Sequence, residues 1–272
     1  MATEGEDKAS RLSLASAVVI VALAFSANAF FNHTALGLDL KSHGDVYVLG
    51  FFFPLGVILP AAHIGWVSSV RLASARWLGA QVGWRDVTAV AVALAGGGLL
   101  AAGALAPQLR EPGSLAAAHR LFALLLVAST AEVLLFLGAL GNAAQLAAGA
   151  IGRWRAGLVT LVVSSVTFGF FHLTYPAPWN TMGRCLGLCL VWVPVSLIFL
   201  FSRSLVAAVV LNNVLAVVGF VQNDLGAALF GQCICGSQSD HTEESRDAAE
   251  MCGSASGQIR PDDLGHAVVL IL

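Results

Sequence analysis

The sequence predicts an all-α protein, a polytopic transmembrane helical bundle of about seven spanning helices, on three observations. Only 11% of its 272 residues are charged, where a soluble domain carries about 25%. Hydrophobic residues make up 57% of the chain, for a mean hydropathy of +0.81. Those residues also gather into runs long enough to cross a bilayer, which takes about 20 apolar residues. The net charge of -2 argues against nucleic-acid binding, which needs a concentrated basic face.

After a polar N-terminal segment (1–11), the runs predict spans over 12–31, 46–68, 87–106, 117–140, 157–175, 183–201 and 204–222. The first run ends near "ANA" (27–29), which resembles a signal-peptidase site. The stretch MATEGEDK ahead of it is more acidic than basic, so the first helix is expected to stay uncleaved. The third span begins after Asp86, placed as an N-cap, and carries "AGGG" (95–98), glycines suited to close helix packing. Only "SRS" (202–204) separates the last two spans, which predicts a tight antiparallel pair. The chain thus divides into three early spans (12–114), a helical core (115–230) and a polar C-terminal tail (231–272) expected to be disordered.

The cations predict an orientation. With the N-terminus cytoplasmic, inner segments hold eight: Lys8, Arg11, Arg71, Arg76, Arg85, Arg153, Arg155 and Arg203. The other side holds four before the tail: Lys41, Arg110, Arg120 and Arg184. The positive-inside rule favours that arrangement. Asn32-His33-Thr34 is a glycosylation sequon that would then face outward. The five cysteines give no disulfide framework. Cys185 and Cys189 are expected to pack on one helix face. Cys233, Cys235, Cys252 and His241 fit no common zinc spacing.

Ionisable and amide groups inside the runs are the candidates for chemistry, because charge is costly in a bilayer core. Between Glu111 and Asp224 the only carboxylate is Glu132, near the middle of the fourth run. His172 is the only histidine between His119 and His241, and Asn212-Asn213 form an amide pair in the seventh run. At helical spacing Glu132 shares a face with Ala128, Ser129, Leu135 and Ala139, and His172 with Ser165, Phe168 and Gly169. Each has a structural alternative. Glu132 can be a neutral carboxyl bonded between helices, and His172 an interfacial residue in an aromatic belt with Tyr175 and Trp179. The asparagines can be interhelical glue.

Three segments, in order, carry a resemblance. "EVLLFLG" (132–138) is similar to a motif of the form EExxFRG, with Glu132, Phe136 and Gly138 in register. Phe168 to His172 resembles an FxxxH motif. "SLVAAVVLNNVLA" (204–216) fits the lead-in to a third motif, in which a His is followed four residues later by Asn or Asp. These are motifs of the CAAX-processing and bacteriocin-processing (CPBP) intramembrane proteases, a family that includes the CAAX prenyl endopeptidases. The resemblance covers roughly residues 115–222. The departures are Val133 for the second Glu, Leu137 for the Arg, Asn212 for the His and Ala216 for the Asn.

The resemblance implies hydrolysis of a peptide bond within the membrane. Glu132 would act as general base on a water and His172 would orient it. Asn212, with Asn213 beside it, would stand where the family stabilises an oxyanion. A single divalent metal, held by His172 and Glu132, is one version of that chemistry, and a metal-free site is the other. The expected partners are membrane lipid and a membrane-embedded or lipidated peptide. Two alternatives remain: a pseudoprotease that escorts membrane proteins, and a small transporter or proton relay using Glu132. A retinal receptor is set aside because the only lysines, Lys8 and Lys41, lie outside the spans.

Overall fold

The computed structural model describes residues 4–42, 47–81, 83–105, 114–176 and 180–219. Among them every element is helical and no strand occurs. Helix α1 runs Glu4–His33 and a short α2 follows, Ala35–Ser42. A π-helical segment, Val48–Ile58, continues into α3, Leu59–Ser69. Next come α4, Trp84–Leu105, and α5, Ser114–Val133, which passes into a second π-helical segment, Leu134–Gly141, and α6, Asn142–Ala147. The chain returns as α7, Arg153–Phe171, α8, Met182–Ser202, and α9, Leu205–Gly219.

Among the described residues six helices are long and apolar enough to cross a membrane, and the chain is an integral membrane protein. They cover Asp7–His33, Leu49–Ser69, Trp84–Ala102, Leu125–Ala147, Arg153–Thr174 and Met182–Ser202. The seventh expected span is helical over Leu205–Gly219, up to the last described residue. Leu125–Ala147 is the central one, with 72% of its apolar window buried against 22–39% for the others. Glu132 therefore stands on the innermost helix. Large apolar side chains such as Val19, Leu99 and Leu190 are exposed on the outside, as lipid-facing positions are.

The core beside that helix is aromatic. Phe168 stacks on Trp192 with centroids 3.9 Å apart, and Phe136 meets both rings and Phe171 edge-on. Close approach of α7 and α8 makes this packing. A Cβ on Gly169 would overlap Cys189 Sγ and the Cys185 carbonyl, so the small residue expected at this position is required. Gly169→Val is expected to destabilise the protein by about 3 kcal/mol, read as a lowered Tm in detergent; an unchanged Tm would mean that α8 can back away freely.

The structure corrects two local expectations. Asp86 is not the N-cap of its helix but sits in its first turn, where its carboxylate accepts the Gly83 N–H at 2.7 Å. That is the acidic half of a capping box. Asn32 of the sequon lies inside α1, only 4% exposed, and its Nδ2 donates to the Asn28 carbonyl and to Asn28 Oδ1. The nitrogen a glycan would take is buried and bonded. "ANA" (27–29) is continuous helix within α1, and the last two spans are joined through Arg203 and Ser204, whose Oγ accepts the Ala207 N–H at 3.1 Å. Of the glycines at 96–98, Gly97 alone faces a neighbour among the described residues, Leu211 and Val214 of α9. Trp179, the cysteines after residue 230, His241 and the C-terminal tail lie outside the described residues.

Candidate functional site

Glu132, His172 and Asn212 line one cavity of about 120 Å³. Each arrives from a different element. Glu132 is in the last turn of α5, just before the backbone widens into π-helix at Leu134. His172 ends α7 and opens a single 3₁₀ turn, His172–Thr174. That turn stops at Tyr175, which is extended (φ -85, ψ 163), the conformation forced on a residue that precedes a proline, here Pro176. Asn212 comes from the middle of α9.

The polar contacts define what each group can do. Asn212 Nδ2 donates to Glu132 Oε2 at 2.8 Å, which leaves its second amide hydrogen unengaged. His172 Nδ1 lies 2.9 Å from the Phe168 carbonyl oxygen. A carbonyl only accepts, so Nδ1 carries the hydrogen and Nε2 offers a lone pair, with no partner among the described residues. A water needs about 10–15 Å³ of such space, so the cavity has room for several. The remaining wall is mostly apolar, with Leu125, Leu188, Val191 and Leu215 prominent.

Two of the cavity's polar residues were not singled out from the sequence as reactive. Tyr175 is read there as part of an aromatic belt, but its ring stacks on His172 at 5.1 Å and lines the cavity. Burial holds its phenol well above the usual range, so it is a neutral O–H donor. Ser129 lines the same wall and donates to Asn213 Oδ1 at 3.1 Å. The signal for Tyr175 is the Tyr-Pro step three residues after His172. Leu135 and Ala139, which α-helical spacing puts on the Glu132 face, are buried in the core and are not among the residues lining the cavity.

Asn213 is separated from its neighbour. Its Nδ2 donates to the Phe122 carbonyl at 2.7 Å, its Oδ1 accepts from Ser129, and it does not line the cavity. Successive residues on a helix face different ways, so one asparagine meets Glu132 and the other ties α9 to α5.

The turn carrying His172 is pinned from the far side. Asn28 Nδ2 donates to Thr174 Oγ1 at 2.7 Å, while Asn28 Oδ1 accepts from Tyr47 Oη at 2.6 Å and Asn32 Nδ2 at 3.0 Å. Thr174 in turn donates to the Phe171 carbonyl at 2.6 Å. Asn28→Leu would strand several buried partners at once and is expected to cost about 1–2 kcal/mol, measured as a fall in Tm; a variant as stable as wild type would show the network to be dispensable. A separate buried histidine, His63, sits between Ser13 and Ser16 (3.4 and 3.0 Å) and does not line this cavity.

The donor set is short of what a divalent metal wants. Among the described residues the cavity offers one carboxylate and one imidazole, and Asn212 turns its amide nitrogen, not its oxygen, toward Glu132. Catalytic zinc usually takes three protein ligands, and no group of three His, Cys, Asp or Glu forms among the described residues. The described residues do not by themselves make a metal site. No protein-family model, curated protein or solved structure matches this chain.

Proposed function

We propose that this integral membrane protein hydrolyses a peptide bond within the membrane, in the manner of the CPBP proteases its three segments resemble. The observation that carries the reading is the convergence of Glu132, Asn212 and His172 on one small, largely apolar cavity. In the proposed reaction Glu132 takes a proton from a water held against His172 Nε2. The water oxygen adds to the substrate carbonyl carbon. The free amide hydrogen of Asn212 and the Tyr175 hydroxyl are the donors available to the oxyanion. The C–N bond then breaks as Glu132 passes its proton to the leaving nitrogen. A dry wall strengthens each of these interactions.

One observation favours a second reading, capture of a membrane peptide without cleavage. Asn213 is engaged with Phe122 and Ser129, so a single asparagine faces the carboxylate where the family has a histidine. The test is proteolysis in proteoliposomes, with a prenylated peptide and a panel of transmembrane peptides as substrates. Cleavage by wild type that disappears in Glu132→Gln and His172→Ala is expected. A folded wild type that cuts none of them, yet retains one, would move the function to capture.

A further inference from the structure

Away from the Glu132 cavity, at the other end of the spans, four arginines from separate segments converge. Arg76 comes from the connection after α3, Arg85 from the first turn of α4, Arg153 from the start of α7 and Arg203 from the turn after α8. With Trp77 and Trp84 they line a cavity of about 520 Å³. Arg153 and Arg203 also border an adjoining space of about 670 Å³, and an apolar groove of about 360 Å³ along Leu158, Leu161 and Leu197.

Among the described residues this cationic end lacks counter-charge. The guanidinium groups of Arg76, Arg85 and Arg153 have no partner among the described residues, and Arg203 has no carboxylate. The one acid in the wall, Asp86, is spent on the Gly83 N–H. Arg203 is held rather than solvated. Its Nη1 donates to Gln145 Oε1 at 2.9 Å and its guanidinium lies 4.6 Å from the Trp77 ring centroid. Burial and the neighbouring Arg153 push it down to about 10. Its backbone is left-handed (φ 55) at a helix C-terminus, a place usually given to glycine. An arginine fixed there, against a second arginine, wants an anion.

Diffuse attraction to an anionic leaflet explains mobile surface arginines. It does not explain a stacked, left-handed arginine beside an apolar groove. We propose that this cluster binds the phosphate of an anionic lipid, with Arg153 and Arg203 on the phosphate oxygens and an acyl chain along Leu158, Leu161 and Leu197. Guanidinium groups suit phosphate because they donate two parallel hydrogen bonds. Trp84 opens a span and Trp77 lies in the connection before it, and tryptophan is enriched at the ends of spans.

The test is native mass spectrometry of the full chain in zwitterionic nanodiscs, titrated with dioctanoyl phosphatidate, dioctanoyl phosphatidylcholine or inorganic phosphate. One phosphatidate per chain, saturable, is expected, with affinity weakened about tenfold by Arg153→Gln or Arg203→Gln. Arg155→Gln is the control, since Arg155 is exposed on the same helix and lines none of these cavities. If Arg203→Gln fails to fold, Arg153→Gln carries the test, because its guanidinium holds nothing else. Unsaturable uptake, or equal weakening by Arg155→Gln, would overturn the site in favour of diffuse attraction. Inorganic phosphate binding as tightly as phosphatidate would make the ligand a free anion and remove the acyl chain from the proposal.

Discussion

On the proposed hydrolysis, Glu132→Gln should lower cleavage by about a hundred- to ten-thousandfold while leaving the bundle folded. The two halves of that expectation have separate causes. Glutamine has the shape of glutamate, and its side-chain oxygen can still accept from Asn212 Nδ2, now at 2.8 Å from Glu132 Oε2. Packing on the central helix is therefore retained. What glutamine lacks is a site to receive the water's proton, and among the described residues no second carboxylate lines the cavity to take over. Rates measured on protein of unchanged Tm decide the matter: a variant that cuts as fast as wild type would remove Glu132 from the chemistry altogether.

The adjacent asparagines should part company under mutation. Asn212→Ala removes a donor that faces the carboxylate and is expected to cut the rate by about a hundred- to a thousandfold. Asn213→Ala strands the Phe122 carbonyl and the Ser129 hydroxyl, so it should lower Tm and leave the rate of the folded fraction near wild type. Parallel kinetics and thermal unfolding on both variants give the comparison. A loss of rate from Asn213→Ala equal to that from Asn212→Ala would mean that the amide pair acts as a unit.

The spans were legible because a bilayer imposes length and apolarity on every helix, and no tertiary detail is needed to see them. Glu132, His172 and Asn212 were legible for the same reason, since polar groups stand out in apolar runs. What escaped depends on local backbone. The widening at Leu134 has no signature in spacing, so the sequence did not show that the helix leaves α geometry just after Glu132. Tyr175 looked interfacial because its role depends on the bend imposed by Pro176. Asn32 matched a sugar-acceptor pattern that carries no information on burial. The arginines were read for orientation alone, since the sequence does not show that Arg76, Arg85, Arg153 and Arg203 share a wall.

The π-helical stretch Leu134–Gly141 has a further consequence for how this chain can change length. Each wide turn takes in more residues than an α turn, so residues after it are rotated relative to those before. Glu132 faces the cavity, while ten residues on Asn142 Nδ2 donates to the Leu78 and Gly138 carbonyls. One deletion between them would let the segment relax to ordinary helix and swing Asn142 away from Leu78. The stretch acts as a rotational spacer between two ends of one helix, and its residue count is as constrained as any side chain in the site.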